Sequence, residues 1–122
     1  MDKDRLRIAV VGPCMSGKSE LVNALRAAGY TAHHVAQEHS YVAHMWQHMT
    51  QPDVLIYLDV DYEAVRARRP QISWGPERLV EQAGRLAHAR AHCDLYIDTS
   101  GLSIEAVRAQ ALQFLVEREA AG

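Results

Sequence analysis

The feature that most constrains the fold is a buried-strand pattern followed directly by a helix pattern. Residues 8–11 form a continuous apolar run that a Gly-Pro pair ends. Such a run is typical of a strand buried on both faces of a parallel sheet. Helical spacing of apolar residues then extends over residues 17–28, and the glycine that follows stands where a helix C-cap belongs. The sequence therefore predicts a strand–turn–helix unit in this region.

The alternation of strand and helix patterns continues along the chain. Further strands are predicted at residues 30–36, 54–58 and 95–97, and further helices at residues 40–51, 62–69, 76–92 and 103–119. This alternation implies a parallel sheet with helices on both faces. We predict a single domain over residues 1–122, an α/β fold built as a three-layer α/β/α sandwich. Its four-stranded parallel sheet should have the order 2-1-3-4.

Three of these helices carry apolar positions at helical spacing, which predict their inward faces. For the helix that Ser40 should cap, they are Val42, Met45, Trp46 and Met49. For the helix at residues 76–92, they are Leu79, Ala83, Leu86 and Ala87. For the last helix, capped by Ser103, they are Ile104, Val107, Ala111, Leu112 and Leu115.

Composition excludes several classes of protein. The 13 basic and 15 acidic residues give a net charge of −2, which argues against nucleic acid or an anionic membrane as the main partner. No apolar run approaches the roughly 18–20 residues of a membrane span, so we expect no membrane partner and a cytoplasmic location. The two cysteines lack the spacing of a disulfide framework or zinc site. The seven histidines likewise have no cysteine or carboxylate at ligand spacing.

The turn after the first strand carries the strongest chemical signal. Residues 12–19 match the pattern G-x-x-x-x-G-K-[ST] in full, between a predicted strand and a predicted helix. Successive N–H groups at a helix N-terminus form a concave, partly positive site for phosphate oxygens. Eleven of the thirteen basic residues are arginines, yet position 18 is a lysine, whose compact ammonium suits the β- and γ-phosphates. The predicted phosphate-binding residues are Gly12, Pro13, Cys14, Met15, Ser16, Gly17, Lys18, Ser19 and Glu20.

With this loop the chain resembles the P-loop NTPase superfamily, and within it the small-molecule and nucleoside kinases. Three other passages are similar to those kinases: residues 29–38, which end in Glu38; residues 54–60, followed by Arg66, Arg68 and Arg69; and residues 95–100. The resemblance implies an ATP-dependent phosphotransferase that acts on a nucleoside, nucleotide or similar small metabolite, with Mg–ATP in the loop. Thr99 and Ser100 would border the adenine.

Phosphoryl transfer requires a carboxylate for the nucleophile and cations for the moving phosphoryl group. Glu38 is the predicted carboxylate, and Lys18, Arg66 and Arg69 are the predicted cations. Asp59, at the end of a strand, would hold Mg²⁺ through water together with Ser19. Arg78 and Arg85 are further candidates for the cations that would contact the moving phosphoryl group.

The chain also departs from the kinase pattern. It offers four strands where such kinases generally have five, and only residues 40–51 for binding an acceptor. The acceptor must therefore be small, or a partner subunit must complete the site, which leaves room for a homodimer.

Two alternatives stay open. One is an NTP hydrolase that works as a nucleotide-binding switch, because residues 98–101 match the D-x-x-G of GTPases. No Asn-Lys-x-Asp for guanine follows them. The other is a binding-only regulatory module.

Overall fold

The computed structural model describes residues 6–121, except for the side chains of residues 49 and 50. The strands are β1 (Arg7–Val11), β2 (Thr31–His34), β3 (Val54–Asp59) and β4 (Leu95–Asp98). The helices are α1 (Lys18–Ala27), α2 (Met45–Thr50), α3 (Tyr62–Arg68), α4 (Glu77–His92) and α5 (Ile104–Ala121).

The four strands form one sheet, and every pairing in it is parallel. The order is β2-β1-β3-β4, which confirms the predicted topology and the α/β/α class. In the register, Ile8 of β1 lies opposite Ala32 of β2 on one side and Val54 of β3 on the other. The carboxyl ends of β1, β3 and β4 therefore meet at one edge of the sheet, and the loop after β1 lies at that edge.

Both faces of the sheet are covered, which explains the continuous apolar runs at residues 8–11 of β1 and 54–58 of β3. Val54, Ile56 and Leu58 face one layer, which is formed by α1 and α5. Leu55 and Tyr57 face the other layer, where α2 and α4 pack. Since successive side chains of a strand point to opposite faces, a strand between two helical layers has no position left for solvent.

The segment between β2 and α2 differs from the prediction. Ser40 does not cap a helix: a 3₁₀ turn spans Gln37–His39, and α2 begins only at Met45. The reason is the buried amide of Gln37, whose oxygen accepts from the backbone N–H of Trp46 at 2.9 Å. Its nitrogen donates to the carbonyl of Val42 at 2.7 Å. These bonds fold residues 40–44 into a turn, and Val42 stays half exposed. The side chain of the fourth predicted apolar residue, Met49, lies outside the described residues.

The inward face of α4 also differs from the prediction. Leu86 is buried as expected, but Ala83 and Ala87 are exposed, and the buried neighbours of Leu86 on this face are Gln82 and Ala89. The polar Gln82 lies inside because it bonds the loop after β1, a contact that hydrophobic spacing cannot reveal.

The last helix follows its predicted face except at its first residue. Val107, Ala111 and Leu115 are buried, and the Ser103 hydroxyl accepts from Ala106 N as a cap at 3.1 Å. Ile104, the first residue of the helix, is instead 60% exposed. No helix within residues 6–121 has the length and apolarity needed to cross a bilayer.

One tertiary contact between α2 and α4 depends on pH. The indole N–H of Trp46 donates to Nδ1 of His88 at 3.2 Å, which requires that this nitrogen carry no proton. Burial, and then the neighbouring rings of His92 and His44, lower the pKa of His88. The His48 ring contacts His44 on the same side. Folding therefore favours the neutral imidazole of His88.

We expect stability to fall as the pH drops below the unfolded pKa of about 6.5, because unfolded His88 then binds a proton more readily than folded His88. His88→Asn retains an acceptor but cannot be protonated, so this variant should lose part of the pH dependence. Urea unfolding followed by tryptophan fluorescence on both sides of that pKa measures it. His34→Asn, at an exposed histidine, is the control. Equal pH dependence in the wild type and His88→Asn would contradict the prediction.

Candidate phosphate-binding site

The loop between β1 and α1 has the backbone of an anion-binding turn. Gly17 has φ 99° and precedes the first residue of α1, so it occupies a left-handed conformation that suits glycine. Met15 is also left-handed, with φ 67°, which costs a residue with a side chain about 1–2 kcal/mol. Left-handed residues that interrupt a turn direct successive N–H groups toward one point. The loop thus forms an interrupted turn at the N-terminus of α1, in which the Cys14 N–H donates to Gln82 Oε1 and the Ser16 N–H to the Pro13 carbonyl.

Gly12 fixes how closely this loop approaches the sheet. A Cβ at this position would lie 2.2 Å from the carbonyl oxygen of Leu58 and 2.7 Å from Oγ of Ser16. The first of these neighbours is backbone of β3, which cannot move aside without disturbing the sheet. The first glycine of the motif is thus required by packing against β3.

Lys18 is held by three acceptors within the protein. Its ammonium donates to the carbonyls of Gly12 at 2.7 Å and Pro13 at 3.1 Å, and to Oε2 of Glu38 at 2.9 Å. The Lys18 and Glu38 side chains are 11% and 5% exposed, so this ion pair is buried. The structure therefore places these two predicted site residues together, and they form an ion pair with each other.

Two buried side-chain oxygens at this edge have no hydrogen-bond partner among the described residues: Oε1 of Glu38 and Oγ of Ser16. A buried polar atom without a partner costs about 1–3 kcal/mol. Such atoms commonly mark a place where a ligand, ion or water completes the bonding.

Of the arginines after β3, Arg68 is the one that reaches the loop. Its guanidinium donates to the carbonyl of Met15 at 2.6 Å and to that of Thr99 at 2.5 Å. Arg69 lines the adjacent cavity, whereas Arg66 is exposed and does not line it. Helix geometry explains the difference, because Arg68 follows the buried Val65 by three residues and shares its face. Arg78 and Arg85 also lie outside the cavity lining.

Asp59 does not join Ser19, so the predicted pair of magnesium ligands is not brought together. Its carboxylate accepts from the hydroxyl of Tyr96 and lies 3.9 Å from Nη1 of Arg90 on α4. Burial, and then the bond to Asp59, raise the pKa of Tyr96 to about 12. Because side chains alternate along β3, Leu58 faces α1 and Asp59 faces the α4 layer. The residues present do not fit a magnesium ion shared by Ser19 and Asp59.

Thr99 and Ser100 hold loops together at the same sheet edge. The buried hydroxyl of Thr99 donates toward the carbonyls of Ser16 and Asp59, each at 3.0 Å. Oγ of Ser100 accepts from the N–H of Asp61, which caps α3. Hydrogen bonds from the Ser100 side chain and then its backbone lower the pKa of Asp98. Thr99 also lines the cavity, whereas Ser100 supports the start of α3.

A cavity of about 590 Å³ opens between the loop, α3 and α5. Of the predicted loop residues, Met15, Ser16, Gly17, Lys18, Ser19 and Glu20 line it. Gly12, Pro13 and Cys14 do not. The basic residues of its lining are Lys18, Arg68, Arg69 and Arg108, against the one acid Glu20. Its apolar side includes Leu102, Ile104 and Val107.

Sequence reasoning missed Arg108 and Leu102 at this cavity. Both belong to the segment that follows β4, whose carboxyl end lies beside β3 at the same edge. The sequence signal that could have found them is the predicted strand order 2-1-3-4. Because all strands are parallel, the segment after β4 lies at the same sheet edge as the loop after β1.

Comparisons of the sequence with known proteins do not identify a family or a relative. No protein-family model matches the chain, and no curated protein matches it. A similar solved structure is described as an atypical orphan response regulator that revealed a phosphorylation-independent regulatory mechanism. It is 16% identical, the match covers 86% of this chain and 91% of that chain, and the TM-score is 0.43. A likeness at this level carries no argument about what this chain binds or does.

The predicted membership in the P-loop NTPase superfamily is wrong by these comparisons. No family model matches the chain, and the similar solved structure is described as a response regulator. The predicted phosphotransferase activity and the NTP hydrolase alternative depended on that membership, so these two predictions are wrong as well. A short motif with the expected strand and helix around it was insufficient to assign a family. The roles of the site residues stay predictions.

Gly12→Ala should lower the free energy of unfolding by about 2–3 kcal/mol, because the new methyl group overlaps the Leu58 carbonyl. The matched control is Gly84→Ala on α4, where an added Cβ meets nothing within 4 Å. That control should gain about 0.5–1 kcal/mol from helix propensity. Equal effects of the two substitutions in urea unfolding would refute the packing role of Gly12.

Lys18→Met should destabilise the fold by about 3–5 kcal/mol, because it leaves a buried carboxylate without its cation. Glu38→Gln should cost less, since the amide oxygen and the carbonyls of Gly12 and Pro13 still accept from Lys18. The double variant should lose less than the sum of the two single losses. Additive losses in denaturant unfolding would show that the two groups do not interact.

Proposed function

We propose that the chain is a binding-only regulatory module whose cavity takes up a phosphate-bearing small molecule. The observation that carries this proposal is the charge of the cavity lining. Four basic residues and one acidic residue line it at the N-terminus of α1, and of the basic residues Lys18 has its ammonium paired with Glu38. Arginine forks, an ammonium and helix N-terminal amides are the groups that bind phosphate oxygens in proteins.

The cavity also suits a ligand with an apolar part. Leu102, Ile104 and Val107 lie on its α5 side, away from the loop. A volume of about 590 Å³ falls within the range of small-molecule sites. ATP therefore remains the predicted ligand. Any Mg²⁺ would have to be held by Ser19, the ligand phosphates and water, because Asp59 faces the other layer.

The placement of the carboxylates favours binding over phosphoryl transfer. Glu38 is committed to Lys18, and Asp59 to Tyr96 and Arg90 on the opposite face of the sheet. Glu20 is the one carboxylate in the cavity lining. Transfer would need a carboxylate beside the acceptor oxygen.

The contacts of Lys18 and Arg68 support a regulatory role. A bound phosphate would compete with Glu38 for Lys18, and with the Met15 and Thr99 carbonyls for Arg68. Loss of the Lys18–Glu38 bond would weaken the contact between the loop and the 3₁₀ turn. Loss of the Arg68 bonds would weaken the contact between the loop and α3. Ligand binding is thereby linked to the arrangement of two neighbouring segments, which is what a switch requires.

Other properties of the module remain as the sequence predicts them. We expect a cytoplasmic protein without a nucleic-acid or membrane partner, and the prediction still leaves room for a homodimer. The small-molecule partner is now the bound ligand instead of an acceptor.

Calorimetric titration with ATP, and separately with inorganic tripolyphosphate, tests the proposal. Arg108→Gln should weaken binding of both at least about tenfold, since a charge-assisted hydrogen bond contributes about 1.5–3 kcal/mol. The matched control is Arg118→Gln on the same helix, where the side chain pairs with Asp94 outside the cavity. Wild-type affinity should also fall with added salt.

Hydrogen exchange with and without ligand provides the readout of regulation. Ligand should change exchange in residues 35–44 and in α3. Absence of binding by both compounds at millimolar concentration, or equal losses in the Arg108 and Arg118 variants, would overturn the proposed site. Steady release of phosphate from ATP would overturn the binding-only role.

A further inference from the structure

A second group of side chains with metal-binding chemistry lies on the other side of the same loop. Cys14, Glu38 and His39 each present one donor atom, and these atoms all lie within 4.8 Å of one another. Sγ of Cys14 is 3.8 Å from Nε2 of His39, and that nitrogen is 3.7 Å from Oε2 of Glu38. These residues come from two segments, the loop after β1 and the 3₁₀ turn after β2.

These separations suit one tetrahedral ion. With Zn–S bonds of about 2.3 Å and Zn–N or Zn–O bonds of about 2.0–2.2 Å, neighbouring donors of a tetrahedral site lie about 3.3–3.8 Å apart. The sulfur–nitrogen separation of 3.8 Å and the nitrogen–oxygen separation of 3.7 Å exceed the tetrahedral values for those atom pairs by about 0.2 Å, so the donors would move slightly closer together on binding an ion. The donor set of thiolate, imidazole and carboxylate is the set that Zn²⁺ and Co²⁺ prefer.

The unsatisfied oxygen of Glu38 is the independent observation that points to a ligand. Its side chain is 5% exposed, and Oε2 already accepts from Lys18. Oε1 is buried and has no partner among the described residues. Because the oxygen that lies 3.7 Å from His39 Nε2 is Oε2, an ion would either share Oε2 with Lys18 or bind Oε1 after a rotation of the carboxylate.

Gln82 holds the cysteine in place for such a role. Its amide oxygen accepts from the backbone N–H of Cys14 at 3.0 Å, and its amide nitrogen donates to Cys14 Sγ at 3.1 Å. The side chain is buried on the inner face of α4. A buried hydrogen bond donated to a metal-binding sulfur is the outer contact that orients such ligands and tunes them. It explains why a glutamine occupies a core position of α4.

The surroundings leave the site open to solvent and leave one coordination position for a further ligand. The His39 side chain is 54% exposed, so an ion can reach the donors from solvent. Three protein ligands leave one tetrahedral position for water, as in open zinc sites. The thiolate neutralises one charge of a divalent cation, the Glu38 carboxylate is shared with the Lys18 ammonium, and the thiol proton passes to solvent on binding.

We propose that Cys14, Glu38 and His39 form a binding site for a zinc-class divalent cation, with Gln82 as the residue that positions Cys14. This site goes beyond the proposed phosphate site. Cys14 does not line the phosphate cavity, and the two sites share only the Lys18–Glu38 pair.

Titration of the reduced protein with Co²⁺, in the absence of phosphate compounds, tests the metal site. One equivalent should produce a thiolate-to-cobalt charge-transfer band and the intense visible bands of a tetrahedral complex, and Zn²⁺ should displace it. Cys14→Ser should abolish the charge-transfer band. Cys93→Ser removes the other cysteine, on a different surface, and should leave the band unchanged.

Variants of the other groups define the rest of the site. His39→Asn should weaken cobalt binding by more than the about 10–100-fold expected for Gln82→Met, since His39 is a ligand and Gln82 an outer contact. His34→Asn, at an exposed histidine, is the control and should bind as the wild type does. Circular dichroism confirms that each variant is folded.

A second measurement needs no variant. One equivalent of Zn²⁺ should protect Cys14 of the wild type from iodoacetamide, with the alkylated peptide identified by mass spectrometry. Absence of a charge-transfer band in the wild type, its persistence in Cys14→Ser, or unchanged alkylation of Cys14 would each overturn the proposal. Tripolyphosphate binding by Cys14→Ser is expected to persist, so failure of one site is distinguishable from failure of the other.

Discussion

The buried ion pair between Lys18 and Glu38 joins the two segments on which every functional feature of this edge depends. Lys18 comes from the loop after β1, and Glu38 from the 3₁₀ turn after β2. In parallel strands those segments emerge side by side, because β1 and β2 are neighbours in the sheet. The pair therefore fixes the distance between the phosphate cavity on one side of the loop and the Cys14 cluster on the other. Removal of the charge of either partner would therefore perturb both the phosphate cavity and the Cys14 cluster.

Most of the fold could be predicted from the sequence. The continuous apolar runs of β1 and β3 indicate strands buried on both faces, and the alternation with helices indicates a parallel sheet. Those two patterns lead to the order β2-β1-β3-β4 that the structure has. The loop after β1 and the position of Glu38 at the same sheet edge could also be predicted, because the motif fixes the turn and the topology fixes the edge.

The remainder depends on contacts that spacing does not encode. The inward position of Gln82 depends on Cys14, which lies far from it in sequence. Arg68, not Arg66, reaches the loop because α3 presents the Val65 face to the core. Asp59 turns away from Ser19 because its neighbour Leu58 faces α1. Family membership was the largest error, since one short motif describes a backbone turn and its charge and leaves the chemistry around it undetermined.

The left-handed backbone of Met15 has a consequence for how the loop changes shape. Its conformation is unfavourable by about 1–2 kcal/mol, and its carbonyl is held from outside by Arg68. A ligand that draws the guanidinium away removes that restraint. The bond from Arg68 thus helps to hold the loop in a backbone conformation that Met15 by itself disfavours.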